Sequence, residues 1–548
     1  MWKWCSGLLF SALLGLAPAT AQEDDPEKRI RIQDPIKNWT ARVFEKNDKD
    51  EFVLVGELFG EEARPLNEEK SRFLVKKIRA IYHTQPKKPG ERSRKVILTA
   101  PEAKFDQAAR TIHFYKNVEG RSKDGTLLKT KDLRMDLVRQ SFSTPETFTF
   151  ALPGISLRGK GLEADDTLGT FTILEHPEVE ATGESSSLLS LREARETRQH
   201  LRLTCQGPMT VRRIVDDQDQ PVGAWVRATG GTRIQLTSDR HQVEIACDTA
   251  RILLRKNPGT GEFTLESAEL DAVPHLTVRQ GENRIEAERG IIEWSTNRSH
   301  FTGNVTGSFV PKEGAKPVQF RAQELTDLGT EIHAKGDVEL DGLLEDRDEK
   351  TIATCDGFRW HKETESGALF GRPWVVVRRG PSTLRAAKIL LPNPDSLILQ
   401  GPKRIRVEAE EDGALQTISL SAVGDISVAL RTRMIKMVDR CSVLSRDFRL
   451  FARRIDVELP EEGKTDPRIR AEGDVRIRRK ADGVALFGDQ MESGGKALTV
   501  RGWPHATLLQ NAVQATMAEI RLDPETETVE GFRGKNRIRI RFIEEKTP

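Results

Sequence analysis

The sequence predicts an all-β protein assembled from repeated antiparallel strands, and three observations predict it. Apolar and polar side chains alternate with period two in many short segments, turn-forming clusters recur between those segments, and a loose two-part motif returns along the chain.

The first 22 of the 548 residues set the compartment. Met1-Trp2-Lys3-Trp4 is a short basic start, Leu8 to Leu16 an apolar stretch, and Ala19-Thr20-Ala21 a small-residue cleavage site before Gln22, the layout of a secretory signal. The apolar run is short for a transmembrane helix and Pro18 interrupts it, so cleavage after Ala21 is expected, with an uncleaved anchor as the alternative. Cys5 precedes the apolar run and is no lipoprotein acylation site. No later stretch approaches 18 consecutive apolar residues, which predicts an exported, water-facing chain, held at the inner membrane if the anchor is kept.

Composition argues for several folded domains, with 31% charged and 37% hydrophobic residues. The 86 basic and 84 acidic residues nearly cancel, which excludes a whole-chain electrostatic pull on nucleic acid. Two local basic runs stand out, Arg476-Ile477-Arg478-Arg479-Lys480 and Lys535-Asn536-Arg537-Ile538-Arg539-Ile540-Arg541. They read as solvated strand faces or as docking sites for lipid phosphates. Cys205, Cys247, Cys355 and Cys441 are too dispersed for a disulfide scaffold; bridges and buried free thiols both stay open, and no CxxC pair exists.

Strand periodicity runs through Lys95-Val96-Ile97-Leu98-Thr99, Thr111 to Val118 and Asp474 to Arg478, with turn signals at Lys123-Asp124-Gly125, Asn257-Pro258-Gly259, Glu411-Asp412-Gly413 and Ala481-Asp482-Gly483. Ser186 to His200, with Leu188, Leu189, Leu191 and Ala194, reads as a linker helix. The first half of the repeat is a small residue, two polar positions and a small or apolar residue, as in Ala100-Pro101-Glu102-Ala103, Ala287-Glu288-Arg289-Gly290, Ala322-Gln323-Glu324-Leu325 and Ala515-Thr516-Met517-Ala518. The second half is Gly303-Asn304-Val305, Gly336-Asp337-Val338, Gly424-Asp425-Ile426 or Gly473-Asp474-Val475, with Asn117-Val118-Glu119 as a relative lacking the glycine. A Gly-Asx pair before β-branched residues predicts a tight turn of positive φ entering a strand. Rungs that cannot bury their own apolar face must stack on one another, so a jellyroll-like stack with variable loops is expected.

Leu98 to Asp106, Ile112 to Val118, Asp124 to Asp136 and Ile155 to Asp165 follow one another in an order that resembles the OstA-like lipopolysaccharide transport family, in particular its LptC-type domain. From about Arg198 onward the looser copies are similar to LptA-type repeats, most clearly in Gly473 to Gly531. The resemblance implies a slightly open, elongated OstA-like β-jellyroll whose hydrophobic interior carries lipopolysaccharide or a related glycolipid passively between the inner and outer membranes. It further implies partners that are other jellyroll components joined by strand-edge pairing, and an inner-membrane ABC transporter that supplies the energy. The expected organisation is a signal peptide (1–21), an LptC-like domain with a linker helix (22–197) and two OstA/LptA-like domains (198–345 and 346–548). In the first domain, period two places Val96, Leu98, Ile112, Phe114 and Val118 on inward strand faces, as lipid-groove candidates or as ordinary sheet core.

No catalytic, metal or cofactor signature accompanies this. Gly159-Lys160-Gly161-Leu162-Glu163-Ala164 matches a dinucleotide pattern, but a turn and a strand are expected after it, where the pyrophosphate needs a helix. The ten histidines show no HExxH, and GxSxG and Walker A are absent. A non-enzyme is therefore expected. The competing readings are a structural envelope scaffold and an exported polysaccharide-binding or polysaccharide-active β-helix, for which Trp360 and Trp374 with Arg359, His361 and Arg372 form the one patch.

Overall fold

A computed structural model describes residues 35–541, apart from short internal stretches of which 84–94, 186–196, 343–350 and 460–466 are the longest. It contains thirty-two β-strands and, among the described residues, no helix. The N-terminal series is β1 (Ile36–Lys46), β2 (Phe52–Pro65), β3 (Arg72–His83), β4 (Lys95–Asp106), β5 (Thr111–Ser122), β6 (Leu127–Asp136), β7 (Ser141–Leu152), β8 (Ile155–Asp165), β9 (Thr170–Ser185), β10 (Thr197–Thr204), β11 (Met209–Val215), β12 (Pro221–Thr237) and β13 (Gln242–Lys256). There follow β14 (Phe263–Gln280), β15 (Asn283–Glu293), β16 (Arg298–Phe309), β17 (Val318–Asp327), β18 (Glu331–Asp341), β19 (Thr351–His361), β20 (Ser366–Arg379), β21 (Ser382–Asn393), β22 (Ser396–Glu411) and β23 (Ala414–Ser421). The series ends with β24 (Ile426–Ala429), β25 (Met434–Leu444), β26 (Phe448–Glu458), β27 (Arg468–Arg479), β28 (Ala485–Gly494), β29 (Ala497–Gln510), β30 (Val513–Asp523), β31 (Thr528–Arg533) and β32 (Asn536–Arg541).

The chain divides into two compact units, the first comprising 1–187, 195–278 and 289–295 and the second 188–194, 279–288 and 296–548. In the first unit β1 to β9 form an antiparallel meander, each strand paired with the next. β10 and β11 lie end to end between β9 and β12, together taking the place of one strand. In the second unit β16 to β22 and β25 to β32 repeat the meander, and β23 and β24 again share one strand position, between β22 and β25.

From β4 onward most long strands turn a corner near the middle, where the pairing register shifts, whereas β2, β3 and β4 stay in one register with each other. In β4 and β5, Thr99 pairs with Glu119 and Glu102 with Tyr115, so β5 carries one residue more than its neighbour across the corner. The surplus alternates: β5, β7, β9, β12, β16, β18, β20, β25, β27 and β29 are longer at the corner than the strands beside them. Such a β-bulge bends a strand and increases its twist.

These corners are where the repeat motif falls. The expected tight turn before a strand is not what the Gly-Asx pairs make. Gly303-Asn304, Gly336-Asp337 and Gly473-Asp474 lie inside β16, β18 and β27, and only Gly424-Asp425 precedes a strand, at the break between β23 and β24. The expected positive φ is present in three of the four pairs, at 82° and 46° for Gly303 and Asn304, but not at Gly424-Asp425; Lys116-Asn117 in β5 also has it, at 63° and 65°. Two successive left-handed residues reverse the local curl of a strand as readily as they close a hairpin, which is why the pattern reads as a turn. Other longer corners use proline, Pro145, Pro177, Pro373 and Pro504, which suits a bulge because no ladder N–H is needed there.

The first half of the repeat sits at the shorter corners. Ala100, Ala103, Ala287, Ala322 and Leu325 are buried, and the polar residues between them face water wholly or in part. At the inside of a corner the two arms of a strand converge, so small side chains are required. Cys247 and Cys355 occupy the same kind of position, at the register shifts of β13 and β19, whereas Cys441 ends the longer corner of β25. Carboxylates of the shorter corners finish the pairing: Asp248 accepts the N–H of Val273 at 2.6 Å, Asp356 that of Arg372 and Asp489 that of Trp503. Each of those three residues precedes a cis proline.

Gly159 and Gly161 belong to a corner too. Both lie inside β8, which leads through a turn into β9, and Gly161 has φ +72°. A Cβ on Gly159 would stand 2.3 Å from Ile173 Cγ2, so this glycine is set by packing.

Of the expected linker helix, residues 186–196 lie outside the described residues; residues 197–200 are extended, as the start of β10 paired with β9. The signal segment, 1–21, also lies outside them. No helix among the described residues is long and apolar enough to cross a membrane.

Candidate lipid-binding interior

Because each long strand bends, it supplies one arm to each of two layers, and the short pairs β10/β11 and β23/β24 supply one arm apiece. In the first unit, the arms carrying Phe105, Ile112, Phe114 and Leu133 make layer I, and those carrying Leu98, Val118, Leu128 and Phe150 make layer II. Ring contacts show that the layers face each other. Tyr82 on the layer II arm of β3 meets Phe142 on the layer I arm of β7 at 6.3 Å, edge to face. Phe150 (layer II, β7) meets Phe171 (layer I, β9) at 4.6 Å, and Trp39 on β1 lies 5.9 Å from Phe73 and 6.1 Å from Phe105.

The five sequence-predicted groove residues all point into this interlayer space, each no more than 2% exposed. Ile112 and Phe114 belong to layer I, paired with Phe105 and Ala103; Val96, Leu98 and Val118 belong to layer II. Leu98 and Leu128 close over Gly120 from either side, where an added Cβ would stand 3.0 Å from Leu98 Cδ2. The structure therefore brings the five together across one interior. Its larger members, Trp39, Tyr82, Phe142, Phe150 and Phe171, escaped the sequence reading, although the alternation around Phe148 and Phe150 carries the same period-two signal.

The lining of this interior is predominantly apolar. Between residues 35 and 185 the buried polar side chains are Thr126, Thr130 and Thr144, and Thr130 and Thr144 satisfy each other at 3.3 Å. Polar chemistry is kept outside: His113 Nε2 lies 2.5 Å from Asp132, the Tyr115 hydroxyl 2.5 Å from His113 Nδ1, and Lys116 reaches Glu102 at 2.7 Å. Burial, and then the Asp132 charge, raises the Tyr115 pKa. Lys116 stands exposed at the corner rather than on the inward face of its neighbour Phe114.

The second unit repeats the plan. Layer I contains Phe301, Leu325, Ala334 and Phe358, and layer II Phe309, Phe320, Leu340 and Ala353. Phe309 and Phe358 meet across the layers at 6.5 Å. A small cavity opens between them, lined by Ile285, Phe309, Phe320, Leu325, Ile332 and Phe358, with Asp327 at its margin. Asp327 is gripped by Lys362 and takes a further bond from the Gly329 N–H at 2.8 Å. Burial pushes the Asp327 pKa up and the ammonium only partly opposes it.

The four cysteines are buried and free. Burial drives the Cys247 and Cys355 thiols up to about 12 and Cys441 to about 11. Among the described residues no cluster of His, Cys, Asp or Glu has the geometry of a metal site. The proposed aromatic patch does not form a sugar platform: Trp360 is buried at 3% exposure and stacks on Phe358, whereas Trp374 faces water beyond the corner of β20.

A comparison with protein families matches residues 9–180 to the model for lipopolysaccharide-assembly, LptC-related proteins. The match covers the bent-strand meander of β1 to β8 and most of β9, so the N-terminal part is LptC-like in sequence as well as all-β in structure. That family serves lipopolysaccharide transport without enzymatic chemistry, at the periplasmic side of the inner membrane. No curated protein matches the chain.

Proposed function

We propose that this protein is a periplasmic carrier of lipopolysaccharide or a related glycolipid, one component of a bridge between the inner and outer membranes. The observation that carries the reading is the coincidence of the LptC-related match with an interior built from two facing layers, in which the only side chains between residues 35 and 185 that are polar and buried as whole residues, among the described residues, are three threonines. Val96, Leu98, Ile112, Phe114 and Val118 are its lipid contacts. Each methylene taken from water is worth about 0.8 kcal/mol. An acyl chain entering between the layers displaces contacts such as Phe150 on Phe171, so it trades one apolar neighbour for another. The net affinity stays low enough for passage, which suits passive transfer.

The three expected sections, 22–197, 198–345 and 346–548, follow as successive carrier segments. β1 pairs only with β2 and β32 only with β31 among the described strands, so each offers an open edge. Another jellyroll component extends the sheet at such an edge by strand addition. An inner-membrane ABC transporter supplies the energy.

The test is in-cell photo-crosslinking from Ile112 and Phe114, with His113 and Tyr115 as outward controls on the same strand. Lipopolysaccharide adducts from the inward pair alone are expected. Absence of adducts at all four positions in folded, exported protein sinks the carrier reading and leaves a structural scaffold.

A further inference from the structure

The outer faces of the second unit treat most of their arginines differently. On the outside of layer I four are paired, Arg454 with Asp456 at 3.0 Å, Arg470 with Glu492 at 3.2 Å, and Arg501 and Arg521 both with Glu519 at 2.8 Å, and Arg468 is not, among the described residues; on the outside of layer II Arg406 is paired with Glu408 at 2.6 Å. On the outside of layer II, Arg449, Arg476 and Arg478 are exposed, and none has an ion pair among the described residues. Arg449 sits directly opposite Arg478, and Arg476 lies between Phe451 and Phe487 on the flanking strands. Like charges directly opposite destabilise a sheet unless something else is gained.

The apolar members of the patch are equally unusual for a water-facing surface. Phe451, Phe487 and Leu509 are 46%, 36% and 37% exposed, and the last lies across from Ala485, which is itself paired with Arg478. The nearest carboxylates do not neutralise it: Asp474, at the corner, is held by Arg453 at 2.8 Å, and Asp447 lies in the turn beyond Arg449. The same rows continue onto Arg404 and Arg385, which are paired across β22 and β21.

We propose that this face, the outer surface of layer II over β26 to β29, docks on the headgroups of an anionic phospholipid bilayer. The charge is complementary and unspent, and guanidinium forks bind phosphate oxygens in pairs. Phenylalanine and leucine interleaved with the arginines belong at headgroup depth, where an apolar body is shielded and the cation stays wet. The patch is an open sheet face with strands about 4.8 Å apart, which suits an array of laterally adjustable headgroups. This goes beyond the carrier reading and does not depend on it, since it uses the outside of the sheet.

The experiment is flotation of the full chain with vesicles of neutral phosphatidylcholine and with vesicles containing phosphatidylglycerol. The readout is the increase in partitioning caused by the anionic lipid. The neutral vesicles absorb any contribution of the N-terminal apolar segment. The parent protein is expected to show a large, salt-sensitive increase, and the R449Q/R476Q/R478Q variant to lose roughly a hundredfold of it. R470Q, on the opposite face, keeps it, and circular dichroism establishes that both variants are folded. An increase that survives the triple substitution overturns the proposal. So does a parent that ignores anionic vesicles but binds polyglutamate through these arginines, which would make the partner an acidic polypeptide.

Discussion

Lys362 Nζ lies 2.7 and 2.8 Å from the two carboxylate oxygens of Asp327, and the two side chains are only 3% and 6% exposed. A buried pair of this kind contributes little net stability, because desolvation offsets the attraction, but removing one partner leaves the other charge stranded. K362M is therefore expected to destabilise the second unit by about 3–5 kcal/mol, and D327L/K362M to recover most of that loss. Chemical denaturation of the two variants checks it; equal losses would mean that shape, not charge, is at stake.

Glu178 on β9 ties together its neighbours on both sides, accepting from Arg158 on β8 and from Arg202 on β10 at 2.5 Å each. Burial pushes its carboxyl up, and the two arginine hydrogen bonds outweigh that and hold it below the ordinary value of 4.5. The folded-state value is depressed, so the stabilisation is present above the unfolded pKa and is lost as pH falls through the folded one. E178Q should melt lower than the parent at pH 7 by an amount worth about 1 kcal/mol, and the gap should narrow as pH falls below 4.5 and close once the folded-state carboxyl is protonated. A gap that persists in acid would assign the effect to packing.

At the corner of β16, Asn304 holds φ at 46°, and its side chain donates to Glu288 at 2.8 Å. N304V forces a β-branched residue into the left-handed region and is expected to cost about 1–3 kcal/mol. N304G relieves the backbone and should stay within about 1 kcal/mol of the parent. Thermal melts of the pair separate a corner from an ordinary strand position, where valine would be the better residue.

With Cys247 and Cys355 held near 12 and Cys441 near 11, almost no thiolate exists at pH 8 in the folded protein. In a C5S variant, a disulfide reagent should release colour only after denaturant is added. Rapid labelling of the folded chain at pH 8 would place these thiols outside the corners described.

How much of this was legible follows from which signals are local. Strict alternation in β4 and β5 is enough to place Val96, Leu98, Ile112, Phe114 and Val118 inward, because one face of each arm is buried throughout. The Gly-Asx pairs were visible but ambiguous, since a left-handed doublet serves a hairpin or a bulge equally well. What separates them is the register of the neighbouring strand, which no single segment contains. Lys362 reads as part of a polar turn, His361-Lys362-Glu363-Thr364, because its partner Asp327 is 35 residues away. The free arginines of layer II were flagged only as a basic run. Their lack of carboxylates becomes apparent once β26 and β28 are laid on either side of β27.

Where longer and shorter corners alternate, as from β16 to β22 though not from β2 to β4, the alternation limits how the sheet changes size. Adding one strand would set two corners of the same length side by side, with nothing to absorb the surplus residue. Adding a hairpin, one strand of each kind, leaves every neighbour in phase. Growth and loss are thus quantised in pairs of strands, and a length variant that removed β17 alone would be out of step along the rest of the sheet, whereas one lacking β17 and β18 together would close over the gap.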